Sequence, residues 1–231
     1  MSGLTGLLKR TGLLRTSGAH VPHRKNTEDM ETVKMPYPDE VMIPMQMHIG
    51  APCIPLVKKG DHVDIGTKIG ENEKGMCAPI HASISGTVDR IDTIRLPGGQ
   101  ACQAVVIKSD GQATMDKDLK APEVHSREDL IKAIRESGLV GLGGAGFPTY
   151  VKLNPSPEVR DGIDTLIING AECEPYLTSD YRQILEDPVM IMRGVYEVSA
   201  LMEVKECIIA IEDNKPEAIR ILDEIAKLDD E

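Results

Sequence analysis

Residues 141–149 read Gly-Leu-Gly-Gly-Ala-Gly-Phe-Pro-Thr, and this stretch constrains the chain more than any other. Gly141, Gly143, Gly144 and Gly146 fall within six residues, too many for the interior of a helix or a strand. Without side chains in the way, and with positive φ angles open to glycine, successive N–H groups can turn toward an anion. The chain's single phenylalanine, Phe147, stands at the rim, where a planar ring can stack on another. The segment therefore predicts a loop that accepts a phosphate-bearing aromatic cofactor, a nucleotide or a flavin. The spacing also satisfies G-x-G-x-x-G, but the context excludes an ordinary dinucleotide crossover. A helical pattern and a turn precede the loop where a strand is required, and Pro148 follows it closely. A purely structural glycine turn is the competing reading.

A second segment bears on that choice. Asp164-Thr165-Leu166-Ile167-Ile168-Asn169 reads as a buried strand and is followed by Gly170-Ala171-Glu172-Cys173-Glu174-Pro175-Tyr176. Ligands of α/β sheets bind at the carboxyl ends of strands. Asn169, Glu172, Glu174 and Tyr176 are thus expected to converge there and accept hydrogen bonds from sugar or ribityl hydroxyls, or from a carboxamide. A solvated loop stopped by a proline is the alternative.

The two halves of the chain follow different rules. Residues 39–112 alternate short apolar runs with turn signals: Val41-Met42-Ile43, Ile54-Pro55-Leu56-Val57, Val63-Asp64-Ile65, Thr67-Lys68-Ile69, Ala82-Ser83-Ile84, Thr87-Val88 and Ala104-Val105-Val106-Ile107. That half is expected to be all-β. After a polar linker, Ser126-Arg127-Glu128-Asp129 is a capping-box variant opening a helix that ends near Gly138. Asp187-Pro188 starts another helix, which runs to about Met202. The run 205–211 is a second buried strand. Asn214 and Pro216 start a last helix, with Ile219, Leu222 and Ile225 inward. Strand, helix, strand, helix predicts parallel pairing and an α/β layer over residues 124–231. Residues 1–38 form an arm and linker.

Composition narrows the partners. The net charge of −11 argues against nucleic acid. Lys9, Arg10, Arg15, Arg24 and Lys25 nevertheless make the first 25 residues basic, suited to an anionic membrane surface or an acidic partner if the arm is not simply disordered. No run approaches the roughly 20 apolar residues of a membrane span, and no signal peptide is evident. Cys53, Cys77, Cys102, Cys173 and Cys207 are scattered, with no C-x-x-C pair, and read as reduced thiols, mostly core residues. No metal ligand set is assigned.

Residues 57–70 and 78–88 resemble the barrel-sandwich module of biotinyl and lipoyl carriers. The hairpin Glu71-Asn72-Glu73-Lys74-Gly75-Met76 sits where a carrier bears its lysine, but no methionine precedes Lys74. A carrier and a structural module are both open. The segments 141–149, Lys152 and 169–175 together resemble the flavin- and NADH-binding domain shared by the 51-kDa subunit of respiratory complex I and the C subunit of the Rnf electron-transport complex. Gly18-Ala19-His20-Val21-Pro22, His48-Ile49-Gly50-Ala51-Pro52 and Ala78-Pro79-Ile80-His81-Ala82-Ser83 resemble the Rnf C subunit, and the likeness runs from about residue 18 to the end.

The resemblance implies a barrel-sandwich hybrid followed by an FMN- and NADH-binding α/β domain that is incomplete at its C-terminus. The [4Fe–4S] clusters of the family are expected only in a region beyond this chain. It implies an electron-entry subunit, passing electrons between NADH and iron–sulfur carriers through FMN. Gly141, Gly143, Gly144, Gly146 and Thr149 would belong to the phosphate loop, and Phe147 would stack on the nucleotide. Lys152 would contact the flavin or its phosphate, and Asn169, Glu172, Glu174 and Tyr176 would line the pocket. No residue is needed as a general acid or base. The implied partners are the other subunits of an Rnf-type membrane complex, with peripheral attachment at the cytoplasmic face of a bacterial membrane. A docking scaffold without catalysis, or an electron-transfer partner of an amino-acid reductase such as D-proline reductase, is the alternative.

Overall fold

A computed structural model describes residues 21–142 and 144–228. Packing divides the chain into two units. The larger comprises residues 33–167 and 193–208; the smaller takes its described residues from up to Thr32, from 168–192 and from 209 onward.

The larger unit is built on two small antiparallel sheets. β1 (Glu40–Pro44), β7 (Ala101–Ser109), β6 (Gly86–Arg95) and β3 (His62–Val63) form one, in that order. β2 (Ile54–Pro55), β4 (Lys68–Glu71) and β5 (Ile80–His81) form the other. β7 lies between β1 and β6, so both of its edges are paired. Ala104, Val105, Val106 and Ile107 are all fully buried, which is why this strand reads as a continuous apolar run. Met45, Val63, Ile69, Ile84 and Val88 complete the core between the sheets.

Two features of this half depart from the sequence expectation. β6 and β7 are long arms of one hairpin closed at Leu96–Gln100. The sequence marks only Thr87-Val88 of β6, because a register shift between Val88 and Arg90 breaks its alternation. Conversely, Ala82-Ser83-Ile84 is not a strand. Ala82 exchanges backbone hydrogen bonds with the Gly66-Thr67 turn, and its neighbours leave the ladder.

The helix predicted after the linker is α1 (Arg127–Glu136). Ser126 caps it by accepting the Asp129 N–H at 3.1 Å, while Asp129 accepts the His125 N–H and the Ser126 hydroxyl. Four charges bind α1 to β4. Lys68 Nζ reaches Glu136 at 2.6 Å and Glu71 at 3.0 Å, and Arg135 reaches Glu71 at 3.0 Å. Two short helices follow, α2 (Thr149–Lys152) and α3 (Pro157–Arg160).

β8 (Thr165–Gly170) and β9 (Glu206–Ile211) pair in a two-stranded sheet. The other helices are α4 (Ser179–Glu186), α5 (Pro188–Met202) and α6 (Pro216–Leu228). In the smaller unit Ile184, Met192, Ala218 and Leu222 form the core, with Ile209, Ile211 and Ile225 packed against it. The two strands are less buried than their composition predicts: Ile167 is 62% and Ile208 41% exposed. With only two strands, each has an open edge and partly uncovered side chains. In α6 the inward face is Ala218, Leu222 and Ile225. Ile219 is turned out, one residue off the stripe that spacing by four selects. Among the described residues no helix is long and apolar enough to cross a membrane.

Candidate functional site

The glycine loop belongs to the larger unit and is a closed excursion. Val140 and Pro148 bridge antiparallel at its base, Gly141 donates to the Phe147 carbonyl at 3.0 Å, and Thr149 donates to the Leu139 carbonyl at 3.1 Å. Within it the glycines divide by role. Gly146 has φ +66, and a β-carbon added there would stand 2.8 Å from the Met47 carbonyl oxygen and 2.9 Å from His48 Cα. It is a packing glycine that lets the loop rest on the strand connection at 47–49, where the Ile49 N–H donates to the Gly146 carbonyl at 3.2 Å. Gly144 is the opposite case: a β-carbon there would meet nothing within 4 Å. Leu142, Gly144 and Ala145 are all exposed. Gly143 lies outside the described residues.

Lys152, the last residue of α2, is exposed, whereas Thr149 and Phe147 are half-buried. The Tyr150 hydroxyl accepts the Cys77 N–H at 3.4 Å and fixes α2 against the β module. The loop therefore presents exposed backbone at Gly144 on a base pinned to the β module, with Phe147 within it and Lys152 shortly after it in the chain. That donor set fits an anion attached to a flat ring.

The strand-end segment lies in the smaller unit. Asn169 is exposed, and its Oδ1 accepts the Ala171 N–H at 3.1 Å, which engages the oxygen end of the amide. Glu174 is exposed, and Tyr176 is 69% exposed. Glu172 behaves differently from the expectation that it lines an open pocket. Its side chain is 3% exposed and fully engaged. Oε2 lies 3.1 Å from Lys215 Nζ and 3.5 Å from Lys25 Nζ, and Oε1 accepts the Asp180 N–H at 2.9 Å.

The reason is local. Asp180 stands in the first turn of α4, whose N-cap, Thr178, makes no side-chain cap. The Thr178 hydroxyl is instead paired with that of Thr27 at 2.6 Å. Glu172 supplies the missing cap, favoured by the positive end of the helix. Burial alone would raise its pKa. The Asp180 N–H and the two ammonium groups outweigh that and hold the carboxyl below the usual carboxylate range.

Lys25 and Lys215 escaped the sequence reading. Lys25 is 8% exposed and also donates to the Glu172 and Leu177 carbonyls at 2.7 and 2.6 Å. It is therefore an internal ligand of the smaller unit, not a free member of the basic arm as the sequence suggested. Lys9, Arg10 and Arg15 lie outside the described residues. Lys215 also sits 4.7 Å from the centre of the Tyr181 ring. No periodicity predicts such a cluster. The sign available in the sequence is a lone lysine immediately before Pro216, at the start of a helix where a cation is unfavourable unless paired.

Comparison with known proteins agrees with both halves. The RnfC barrel sandwich hybrid domain family matches residues 15–112, and the Nuo51 FMN-binding domain family matches residues 134–231. The chain is 41% identical over 202 residues to the C subunit of a proton-translocating ferredoxin:NAD(+) oxidoreductase complex from Clostridium ljungdahlii; the match covers 86% of this chain and 44% of that protein. It is 39% identical over 213 residues to the C subunit of a Na(+)-translocating ferredoxin:NAD(+) oxidoreductase complex from Acetobacterium woodii, covering 89% and 47%. The C subunit of an ion-translocating oxidoreductase complex from Pectobacterium carotovorum is 38% identical over 210 residues, covering 89% and 28%. The chain thus spans less than half the length of these curated relatives.

Proposed function

For a chain composed of an RnfC-type barrel sandwich hybrid domain followed by a Nuo51-type FMN-binding domain, we propose the flavin-binding part of an electron-transfer subunit in an ion-translocating ferredoxin:NAD(+) oxidoreductase. The observation that carries this reading is the exposed glycine loop. Gly144 stands in open space on a base that Gly146 locks to the β module.

FMN, when bound, exchanges electron pairs with a nicotinamide and single electrons with one-electron carriers. The protein's share is position and electrostatics. Backbone N–H groups around Gly144, in the loop whose base Gly141 closes, receive the phosphate. Lys152 offsets its charge, Thr149 adds a hydroxyl, and Phe147 provides a flat apolar surface for the ring system. In the smaller unit Asn169, Glu174 and Tyr176 carry an amide, a carboxylate and a hydroxyl, groups that hydrogen-bond sugar hydroxyls and carboxamides. Glu172 acts one step removed, holding the end of β8 and the start of α4 in place. No proton needs to be moved by a side chain for hydride transfer. NADH as electron donor, iron–sulfur carriers as the next step, the other subunits of the complex as partners, and peripheral attachment on the cytoplasmic side all belong to this proposal.

Titration of the full chain with FMN, followed by quenching of flavin fluorescence, tests it, with a form extended to the relatives' length titrated alongside. Saturable one-to-one binding by either form, tighter in the extended one, is expected. If neither form binds FMN or NADH, the electron-transfer reading fails and a non-catalytic docking role replaces it.

A further inference from the structure

Three side chains that the flavin reading does not use meet inside the larger unit. His48 lies between β1 and β2, Cys53 immediately precedes β2, and Cys77 leads toward β5. All are buried: His48 is 5% exposed, Cys53 4% and Cys77 fully enclosed. The Cys53 and Cys77 sulfurs are 3.3 Å apart, and His48 Nε2 lies 4.0 Å from the first and 3.8 Å from the second. The Ala78 carbonyl oxygen completes the group, 3.1 Å from Nε2, 3.3 Å from Cys53 Sγ and 3.7 Å from Cys77 Sγ.

These six separations, from 3.1 to 4.0 Å, outline a tetrahedron. With edges of about 3.5 Å, its centre is about 2.2 Å from each corner, which matches zinc bond lengths of about 2.3 Å to sulfur, 2.0–2.1 Å to imidazole nitrogen and 2.0–2.2 Å to oxygen. The histidine is already set for this role. Nδ1 stands 2.9 Å from the Ile49 carbonyl oxygen; the tautomer that donates there leaves a lone pair on Nε2, the outer-sphere arrangement that orients metal-bound imidazoles. Nε2 accepts the Ala78 N–H at 3.2 Å, a bond that metal binding would have to displace.

The geometry points to a buried Cys53–Cys77–His48 site for a thiophilic tetrahedral cation of the zinc class, closed by the Ala78 carbonyl. Two soft sulfurs with one imidazole select zinc over the hard cations. Binding is an exchange of one Zn2+ for two protons, one from each thiol, giving a neutral bis-thiolate centre with no change of oxidation state. Because each thiol gives up its proton to the exchange, binding weakens as pH falls. The site would tie the β2 and β5 segments to the 47–49 connection on which the glycine loop rests. It is independent of whether that loop binds flavin.

The test uses the full chain, reduced anaerobically and stripped with a chelator. Zinc titration should give one tightly held equivalent and release two protons, native mass spectrometry should show one zinc added with two hydrogens lost, and the melting temperature should rise. Cobalt(II) should give the thiolate-to-metal charge-transfer and visible bands of a tetrahedral centre. Cys77→Ala and His48→Asn should each weaken zinc binding by roughly a hundredfold or more, and Cys102→Ala should leave it unchanged. If a variant does not fold, the proton count and cobalt spectrum of the unaltered chain still decide. No retained zinc, a cobalt spectrum without thiolate bands, or a Cys53–Cys77 disulfide that survives reduction would each overturn the site.

Discussion

Lys215 Nζ lies 3.1 Å from Glu172 Oε2, and Lys25 reaches the same carboxylate oxygen from 147 residues earlier in the chain. One carboxylate therefore compensates two buried ammonium groups and caps α4. Glu172→Gln would keep the shape and leave both lysines without a counter-charge. Breaking a buried pair in this way costs about 3–5 kcal/mol, so the variant should lose most of the stability of the smaller unit. Chemical denaturation followed by circular dichroism measures the loss; a cost below about 1 kcal/mol would show that the lysines find other partners.

The same carboxylate sets an acid limit. Its folded pKa is depressed below its unfolded value. The stability it contributes is thus present above the unfolded pKa, near the ordinary 4.5, and is lost as pH falls through the folded value. The smaller unit should melt at progressively lower temperature below about pH 4.5, and Glu172→Gln should flatten that part of the profile. A Glu172→Gln chain with the same acid slope as the parent would assign the slope to other carboxylates.

The ion pairs joining α1 to β4 should matter far less. Lys68 is 30% exposed and Glu136 42% exposed, so solvent screens their pairing. Lys68→Met should cost no more than about 1 kcal/mol. Added salt should reduce the difference between the variant and the parent. Faster hydrogen exchange confined to α1 is the expected local sign.

The modules were legible in the sequence because their signals are local. Turn residues at short intervals mark the β half, and the Ser126–Asp129 cap and the Asp187-Pro188 start mark α1 and α5 within a residue or two. The spatial groupings were not legible, because they join residues far apart in sequence. His48, Cys53 and Cys77 lack ligand spacing, although each cysteine adjoins an Ala-Pro pair, at 51–53 and at 77–79. Glu172 looked like a ligand-facing acid because it sits at a strand end beside Glu174. Which of the two turns inward is decided by the uncapped start of α4 and by Lys25, which its place in a basic stretch assigns to a free arm.

Gly144 and Gly146, two residues apart, should respond oppositely to substitution. Gly146→Ala places a β-carbon against the Met47 carbonyl at φ +66, where L side chains are strained, and the backbone it meets belongs to a packed connection. The loop would have to lift from its base, at a cost of about 1–3 kcal/mol, and any ligand affinity should fall with it. At Gly144 an added β-carbon stands in open space, so the melting temperature of Gly144→Val should stay within a degree or two of the parent's. If the loop receives a phosphate, however, the branched side chain occupies the space of the ligand, and FMN affinity should drop at least tenfold with the fold intact. Measuring melting temperature and FMN affinity on both variants separates the roles. Gly144→Val binding FMN like the parent would move the phosphate away from this loop and leave the glycines a structural turn that Gly146 holds against the β module.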